Sequence, residues 1–274
     1  NKEGCDLLKK LEKLTNKLLE YNLSLIHKSE NNNKNKIIKN GENIYKNKVA
    51  LSTKNKITWT DKEYGHLGLQ RMYLKLKSIQ RFTETYNLLQ RAYFRNFFSW
   101  YGKVNNKNKE INTTVTFLSV GGGPGFELIA ARYFFEKYFP KIKTELISLD
   151  IQKSWEEYTK LMDIDFIESN IKNGKIEALK YFKNSYNDIY LIFSYILIYV
   201  CDDETVLMIK SLLENNNVKG IFISDRHKRN NIIPFFKKHN IRVIYLLPYT
   251  HGRKDDRQLL LLKKRNNSNE SIYN

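Results

Sequence analysis

From Val115 onward the chain alternates short, continuously apolar runs with stretches whose apolar residues recur at helical spacing. The runs are VTFLSV, TELISLD, DFIES, DIYLIFS, GIFISD, IRVIYLL and QLLLLKK; between them lie FELIAARYFFEKYF, QKSWEEYTKLM and DETVLMIKSLLENN. Strands buried on both faces read as unbroken apolar segments, and parallel neighbours need a long crossover, usually a helix. The pattern predicts a doubly wound α/β sheet, mostly parallel. PYTHGRKDD joins the last two runs with no helical pattern inside it, so those strands are expected to form an antiparallel pair at one edge.

Upstream the pattern is helical. From Asp6, a plausible cap, Leu7, Leu11, Leu14 and Leu18 make one apolar stripe on a basic amphipathic helix, a face that packs on the main domain or on a partner. A second helical region carries Leu69, Met72, Leu76, Ile79, Phe82, Tyr86, Leu89, Tyr93 and Phe97 along one face, with Arg71, Lys75, Arg81, Arg91 and Arg95 on the rest. Interleaved aromatic and basic groups can stack bases and hold phosphates; the other reading is a helix pair that covers a sheet edge with its aromatics inward. Between the two regions, HKSENNNKNKIIKNGENIYKNKVALSTKNK has few large apolar groups with which to offset the entropy of ordering. The expected organisation is an amphipathic helix over 1–27, a flexible Asn/Lys-rich insertion over 28–60, a helical substrate-side or cap region over 61–112, the doubly wound domain over 113–265 and a disordered tail over 266–274.

Composition adds a charge. Lys and Arg number 47 against 29 Asp and Glu, a net +18 that favours nucleic acid or another anionic surface by long-range attraction. Lys and Asn are also abundant in the low-complexity stretches, so part of the basicity is compositional background. Cys5 and Cys201 cannot make a disulfide framework and belong to no Cys/His cluster, which suits a reducing compartment and gives no metal motif. No apolar run approaches the roughly 20 residues of a membrane span. The expected location is therefore intracellular, cytoplasmic or nuclear. The chain opens at Asn1 without an initiator methionine, which leaves open any targeting peptide ahead of it.

The chemistry gathers at SVGGGPGFE. A strand ending at Val120, glycines at 121, 122, 123 and 125, and a helix starting near Pro124 bring backbone close to a ligand with no Cβ in the way. Phe126 stands where a dinucleotide fingerprint needs its third glycine, and GxxxxGK[ST] is absent, so the pattern is GxGxG. The next strand ends in Asp150, whose carboxylate can accept from the two hydroxyls of a ribose or can cap the helix that follows. The third ends before Asn170, whose amide can bond an adenine edge, with Ile171 against the ring.

In order and spacing, FLSVGGGPG followed by LISLDI resembles the first two motifs of the class I S-adenosylmethionine-dependent methyltransferases, over roughly Val115 to Arg265. The resemblance implies a Rossmann-like, seven-stranded sheet with the last strand inserted antiparallel. It implies S-adenosylmethionine as cofactor, held by Gly121, Gly122, Gly123 and Gly125 at its amino-acid part, Asp150 at the ribose, Asn170 and Ile171 at adenine, and with Ile151 among the cofactor-binding residues. It further implies a place for Phe193 and Ser194 beside the reacting groups. Ser119 and Asn170 stand where members commonly carry acidic residues.

The acceptor would sit over the end of DIYLIFSYILIYV. Neither the proline-aromatic motif of base amine methylation nor the cysteine after proline of pyrimidine C5 methylation is present, and Cys201 reads as a buried thiol. Catalytic candidates are Tyr195, Asp225 and His227 (in SDRH with Arg226), and His251 in a final loop with Tyr249 and Arg253; either histidine could serve as a base near neutral pH. The expected activity is methyl transfer, with RNA favoured as substrate by the basic charge. A protein or small-molecule acceptor is one alternative. The other is a noncatalytic scaffold in an RNA-processing assembly, which would bind a protein partner through the leucine stripe.

Overall fold

The computed structural model describes residues 2–29, 33–47, 59–104, 114–170, 187–197, 203–226, 232–247 and 256–263. Seven strands form one sheet: β1 (Thr114–Val120), β2 (Lys143–Asp150), β3 (Asp165–Glu168), β4 (Asp188–Ser194), β5 (Val218–Arg226), β6 (Ile241–Leu247) and β7 (Asp256–Lys263). Their spatial order is β3-β2-β1-β4-β5-β7-β6. All neighbouring pairs are parallel except those of β7, which runs antiparallel between β5 and β6. Each apolar run of the sequence is thus a strand, and the antiparallel pair lies at one edge with β7 inserted inside it.

The strands alternate sides with period two. Val115, Phe117, Tyr190, Ile192, Phe222 and Leu260 face one core; Leu118, Val120, Ile189, Leu191, Phe193 and Ile223 face the other. On the second face lie α8 (Asp203–Glu214) and α9 (Ile232–Lys238), through Val206, Ile209, Leu212, Ile233 and Phe236. The first is covered by α6 (Phe126–Tyr138), by α7 (Glu156–Lys160) beside β3, and by the N-terminal helices α1 (Lys2–Ser29) and α4 (Leu67–Phe94), of which α4 packs both on α6 and directly on β5 and β6. A short α5 (Ser99–Val104) brings Phe97, Phe98 and Tyr101 against Phe134, Phe135, Tyr190 and Phe222.

Three expectations about the N-terminal region are decided by its packing. The leucine stripe of α1 faces the chain's own core: Leu11 and Leu18 are fully buried and Leu7 and Leu14 pack beside them. Of the two uses the sequence left open for that face, packing on the main domain is the one seen here. Second, α4 is one long helix, not a pair; Leu69, Phe82, Tyr86 and Leu89 of the expected apolar stripe are buried, and the inward face widens beyond that stripe. Leu74, Ser78, Arg81, Thr85, Leu88 and Ala92, at spacings of four and three, are buried, whereas Leu76 and Ile79 are about half exposed. Hydrophobicity alone misplaces only the middle of the helix, because the buried residues there include the polar Ser78, Arg81 and Thr85, of which Arg81 reaches the cavity described below.

Third, Lys34–Asn47 within the expected flexible insertion form α2. Its inward face is Ile37, Ile38, Gly41, Ile44 and Tyr45, with only Gly41 fully buried, where it crosses Gly68 of α4. Backbone packs on backbone there, so a segment poor in large apolar residues docks without needing them. The remaining expected flexible and disordered positions, among them 48–58 and 264–274, lie outside the described residues.

The helical layer is pinned to the sheet domain by buried polar groups. Asn22 of α1 donates to the Tyr158 hydroxyl at 2.9 Å and to the Leu67 carbonyl at 3.0 Å. Tyr158 in turn donates to Gln70 Oε1 at 3.3 Å, and Gln70 donates to Ser154 at 2.6 Å. Such a chain of hydrogen bonds fixes one register between layers, because sliding either helix would leave several more buried polar groups without a partner.

Candidate cofactor site

At the carboxyl end of β1 the chain must turn sharply into α6. Gly121, Gly123 and Gly125 take φ of 63°, 51° and 91°, a region costly for side chains with a Cβ. Gly121 and Gly122 both donate to the Leu149 carbonyl, at 2.7 and 3.2 Å, which ties the loop to the end of β2. The four glycines then part in role. A Cβ at Gly122 would run into Ser119 and Ser148, and one at Gly125, the N-cap of α6, into Ile164. These two serve packing; Gly121 and Gly123 line a cavity.

Asp150, at the end of β2, faces that loop. Its Oδ2 accepts from Gly123 N at 2.9 Å and its Oδ1 from Gln152 N at 2.8 Å. The second bond is the local capping role open to it from sequence; the first joins it to the glycine loop. Burial, opposed by these backbone donors, raises its carboxyl pKa to about 6. Ser148 donates to the Gly123 carbonyl at 2.9 Å, so loop and strand are held from both sides.

The cavity, of about 380 Å³, opens at the carboxyl edge of the sheet between β1 and its neighbours. This is where ligands lie in open α/β sheets. Gly121, Gly123, Asp150, Ile151, Asn170, Ser194 and Tyr195, all candidates from sequence, line it together. Phe193 does not: it is fully buried on the α8 side of the sheet. Asp225 is buried in β5, in register with Arg257 of β7, and is not among the lining residues. Ile171, Cys201, His227, Tyr249, His251 and Arg253 lie outside the described residues.

The remaining wall comes from the N-terminal region, which sequence reading had placed on the substrate side. Trp59, Thr60, Asp61 and Tyr64 approach the Asp150 end, with Asp61 fixed through its carbonyl by Gln152 Nε2 at 2.7 Å. Thr60 and Glu63 close a reciprocal capping box on α3 (Asp61–Tyr64). Tyr73 and Trp155 add an aromatic floor, with ring centroids 5.7 Å apart. From α4, Arg81 enters with 8% of its surface exposed, its guanidinium 3.7 Å from the centroid of the Tyr195 ring. Only the 3.6-residue spacing of α4 around Leu74 and Thr85 could have flagged Arg81 beforehand, and its charge argued the other way.

Tyr195 adopts φ of 58°, a genuine outlier for a bulky side chain. It is held there from several directions: its N–H donates to the Ser224 carbonyl at 2.8 Å, its hydroxyl donates to Glu84 Oε1 at 2.9 Å, and Arg81 covers its ring. Beneath Arg81, Glu127 is buried at 3% exposure, and burial raises its pKa.

The order β3-β2-β1-β4-β5-β7-β6, with β7 alone reversed, together with a glycine turn after β1 and a carboxylate ending β2, decides the architecture. It is the class I S-adenosylmethionine-dependent methyltransferase fold. Among solved structures the chain is similar to TrmK of M. capricolum in complex with S-adenosyl-homocysteine, at 17% identity and a TM-score of 0.34 over 56% of this chain and 64% of that one. The chain thus spans less than two thirds of TrmK. It is similar to the plantazolicin methyltransferase BpumL in complex with S-adenosyl-homocysteine, at 13% identity and a TM-score of 0.42 over 94% and 99% of the two chains. The METTL16 methyltransferase domain matches at 14% identity and a TM-score of 0.38 over 62% and 67%. These likenesses are too distant to bear on substrate. No protein-family profile matches the chain, and no curated protein does.

Among the described residues no group of three or more His, Cys, Asp or Glu is placed to hold a metal ion, and no helix is long and apolar enough to cross a membrane.

Proposed function

We propose that this methyltransferase-fold chain binds S-adenosylmethionine and transfers its methyl group. One observation carries the reading: the Gly123 N–H and the Asp150 carboxylate, from the ends of β1 and β2, meet at 2.9 Å on the wall of one cavity. The residues fit the cofactor. Gly121 and Gly123 present backbone with no Cβ, Asp150 retains lone pairs for ribose hydroxyls, and Asn170, on the same cavity wall, has an amide that can bond an adenine edge. Ser119 sits fully buried under the loop, with Gly122 packed on it, so its departure from the family's acidic pattern lies outside the cavity lining.

Once bound, the cofactor supplies an electrophilic methyl group. The chain's own part is alignment and exclusion of water. Tyr195 and Ser194 at the end of β4 flank the acceptor side, and the Tyr195 hydroxyl is oriented by Glu84.

RNA is the acceptor class that the charge favours. Besides the net +18, the solvent face of α1 exposes Lys9, Lys10, Lys13 and Lys17, with Lys10 lying 5.6 Å from the centroid of the Tyr133 ring.

The test is calorimetric titration of S-adenosylmethionine and S-adenosyl-homocysteine into the wild type, Asp150→Ala and Gly123→Val. Binding to the wild type, lost in both variants, is the expected result; no heat from a folded wild type overturns the reading. Transfer of tritiated methyl to RNA pools but not protein pools then supports RNA, and the reverse replaces it with a protein acceptor.

A further inference from the structure

We infer that Arg81 of α4 is the receptor for the carboxylate of the bound cofactor, which makes the N-terminal helical layer part of the cofactor site and not only a cap over it. This rests on the cofactor reading above.

A guanidinium carries five N–H donors and keeps its charge at any relevant pH, so burying one demands acceptors. Arg81 is buried with the Tyr73 hydroxyl as a hydrogen-bond partner, yet its partners do not use all its donors. Nη1 reaches Ser194 Oγ only at 3.4 Å, and Nε has no hydrogen-bond partner. The two nearest carboxylates, Glu127 and Glu84, stand off at 3.8 and 4.0 Å. Those distances neutralise the charge without satisfying the donors. A buried cation held in this way on the wall of a cavity is a site prepared for an oxyanion.

Position selects which part of the ligand that is. Arg81, Gly121, Ser194 and Tyr195 share the cavity, whereas Asp150, Ile151 and Asn170 mark the nucleoside end. A nucleoside that carries an α-amino acid is zwitterionic at its far end. Its carboxylate meets Arg81, a guanidinium–carboxylate pairing whose hydrogen bonds are charge-assisted. Ligands without the carboxylate have nothing to offer Arg81.

The same guanidinium covers the ring of Tyr195, whose φ of 58° it helps to hold. A carboxylate on Arg81 therefore bears on the residue nearest the acceptor.

The experiment compares three probes by calorimetry: S-adenosyl-homocysteine, decarboxylated S-adenosylmethionine and 5′-methylthioadenosine, each with the wild type, Arg81→Met and Arg81→Lys, after thermal unfolding has confirmed that each variant is folded. The wild type is expected to prefer S-adenosyl-homocysteine over both other probes by about tenfold or more, the usual effect of one charge-assisted hydrogen bond. Arg81→Met should abolish that preference and leave 5′-methylthioadenosine affinity within about twofold, and Arg81→Lys should restore part of it. An equal loss for all three probes in Arg81→Met, or no loss for any, overturns the assignment while leaving the cofactor reading intact. A wild type that binds none of the three overturns the cofactor reading itself.

Discussion

Gly41 of α2 and Gly68 of α4 cross backbone against backbone. A Cβ built on Gly41 falls inside the van der Waals envelope of the Gly68 main chain, and one on Gly68 collides with the Ile37 carbonyl. Neither atom is the movable end of a side chain, so the helices would have to separate. Gly41→Ala and Gly68→Ala are expected to destabilise the fold by about 1–3 kcal/mol, the usual range for overpacking, read as a lower midpoint in chemical unfolding. Gly4, with no atom near its Cβ position, supplies the control: Gly4→Ala should leave stability unchanged or raised. Equal effects at Gly4 and Gly41 would show that α2 does not dock on α4.

Asp150 should make cofactor affinity fall in mild acid. Its carboxyl, ordinarily at 3.8, titrates at about 6 in the folded chain, and the ionised form is the one that accepts ribose hydroxyls. The affinity for S-adenosyl-homocysteine should therefore be level above pH 6 and weaken below it by up to about tenfold per pH unit. Stability has the opposite slope. The folded chain holds this proton more tightly than the unfolded chain, so the group's contribution to stability is greatest below about pH 4 and declines as pH rises to about 6. Asp150→Asn should flatten both profiles, and an affinity profile unchanged by that substitution would remove Asp150 from the ribose site.

Two adjacent glycines of the loop should separate stability from binding. Gly122→Ala places its Cβ within 2.8 Å of Ser119 and Ser148 atoms in a packed interior, so it should lower the unfolding midpoint. At Gly123 a Cβ meets nothing closer than 3.7 Å, and the cost is the left-handed φ plus atoms added to the cavity wall. Gly123→Ala should thus cost about 1 kcal/mol of stability and a disproportionate share of cofactor affinity. The same ratio of the two losses in both variants would contradict this division.

The inward face of α4 can be checked with two truncations. Leu74→Ala empties a fully buried position and should cost about 2–5 kcal/mol, whereas Ile79→Ala, at a residue 54% exposed, should stay within about 0.5 kcal/mol. Urea unfolding of the two variants distinguishes this face from the one that hydrophobicity alone suggests.

The sheet was legible because its strands are buried on both sides. Residues such as Phe117 and Leu118 or Leu191 and Ile192 point in opposite directions yet are all apolar, and only a doubly covered sheet needs that. The glycine turn and Asp150 were legible for a similar reason, since a turn without Cβ atoms and a carboxylate at a strand end each answer a local requirement. Less of the cavity's other wall could be read. Arg81 looks like a surface cation until α4 is laid against α6 and the sheet, and Phe193 looks like a cavity residue until its side of the pleat is known. Asp225, credible at a strand end, is drawn into the interior by its place beside β7.

The sequence by itself determined the parallel strands, their order along the chain, the turn after β1 and the carboxylate of Asp150 at the end of β2, because each depends on residues close together or on a burial pattern repeated within one element. Only the tertiary structure decided how α1, α2 and α4 lie on that sheet. Their placement rests on one crossing of two glycines and on a buried polar chain from Asn22 through Tyr158 to Gln70, interactions between residues far apart that carry no periodic signal. That placement carries Arg81 to Tyr195.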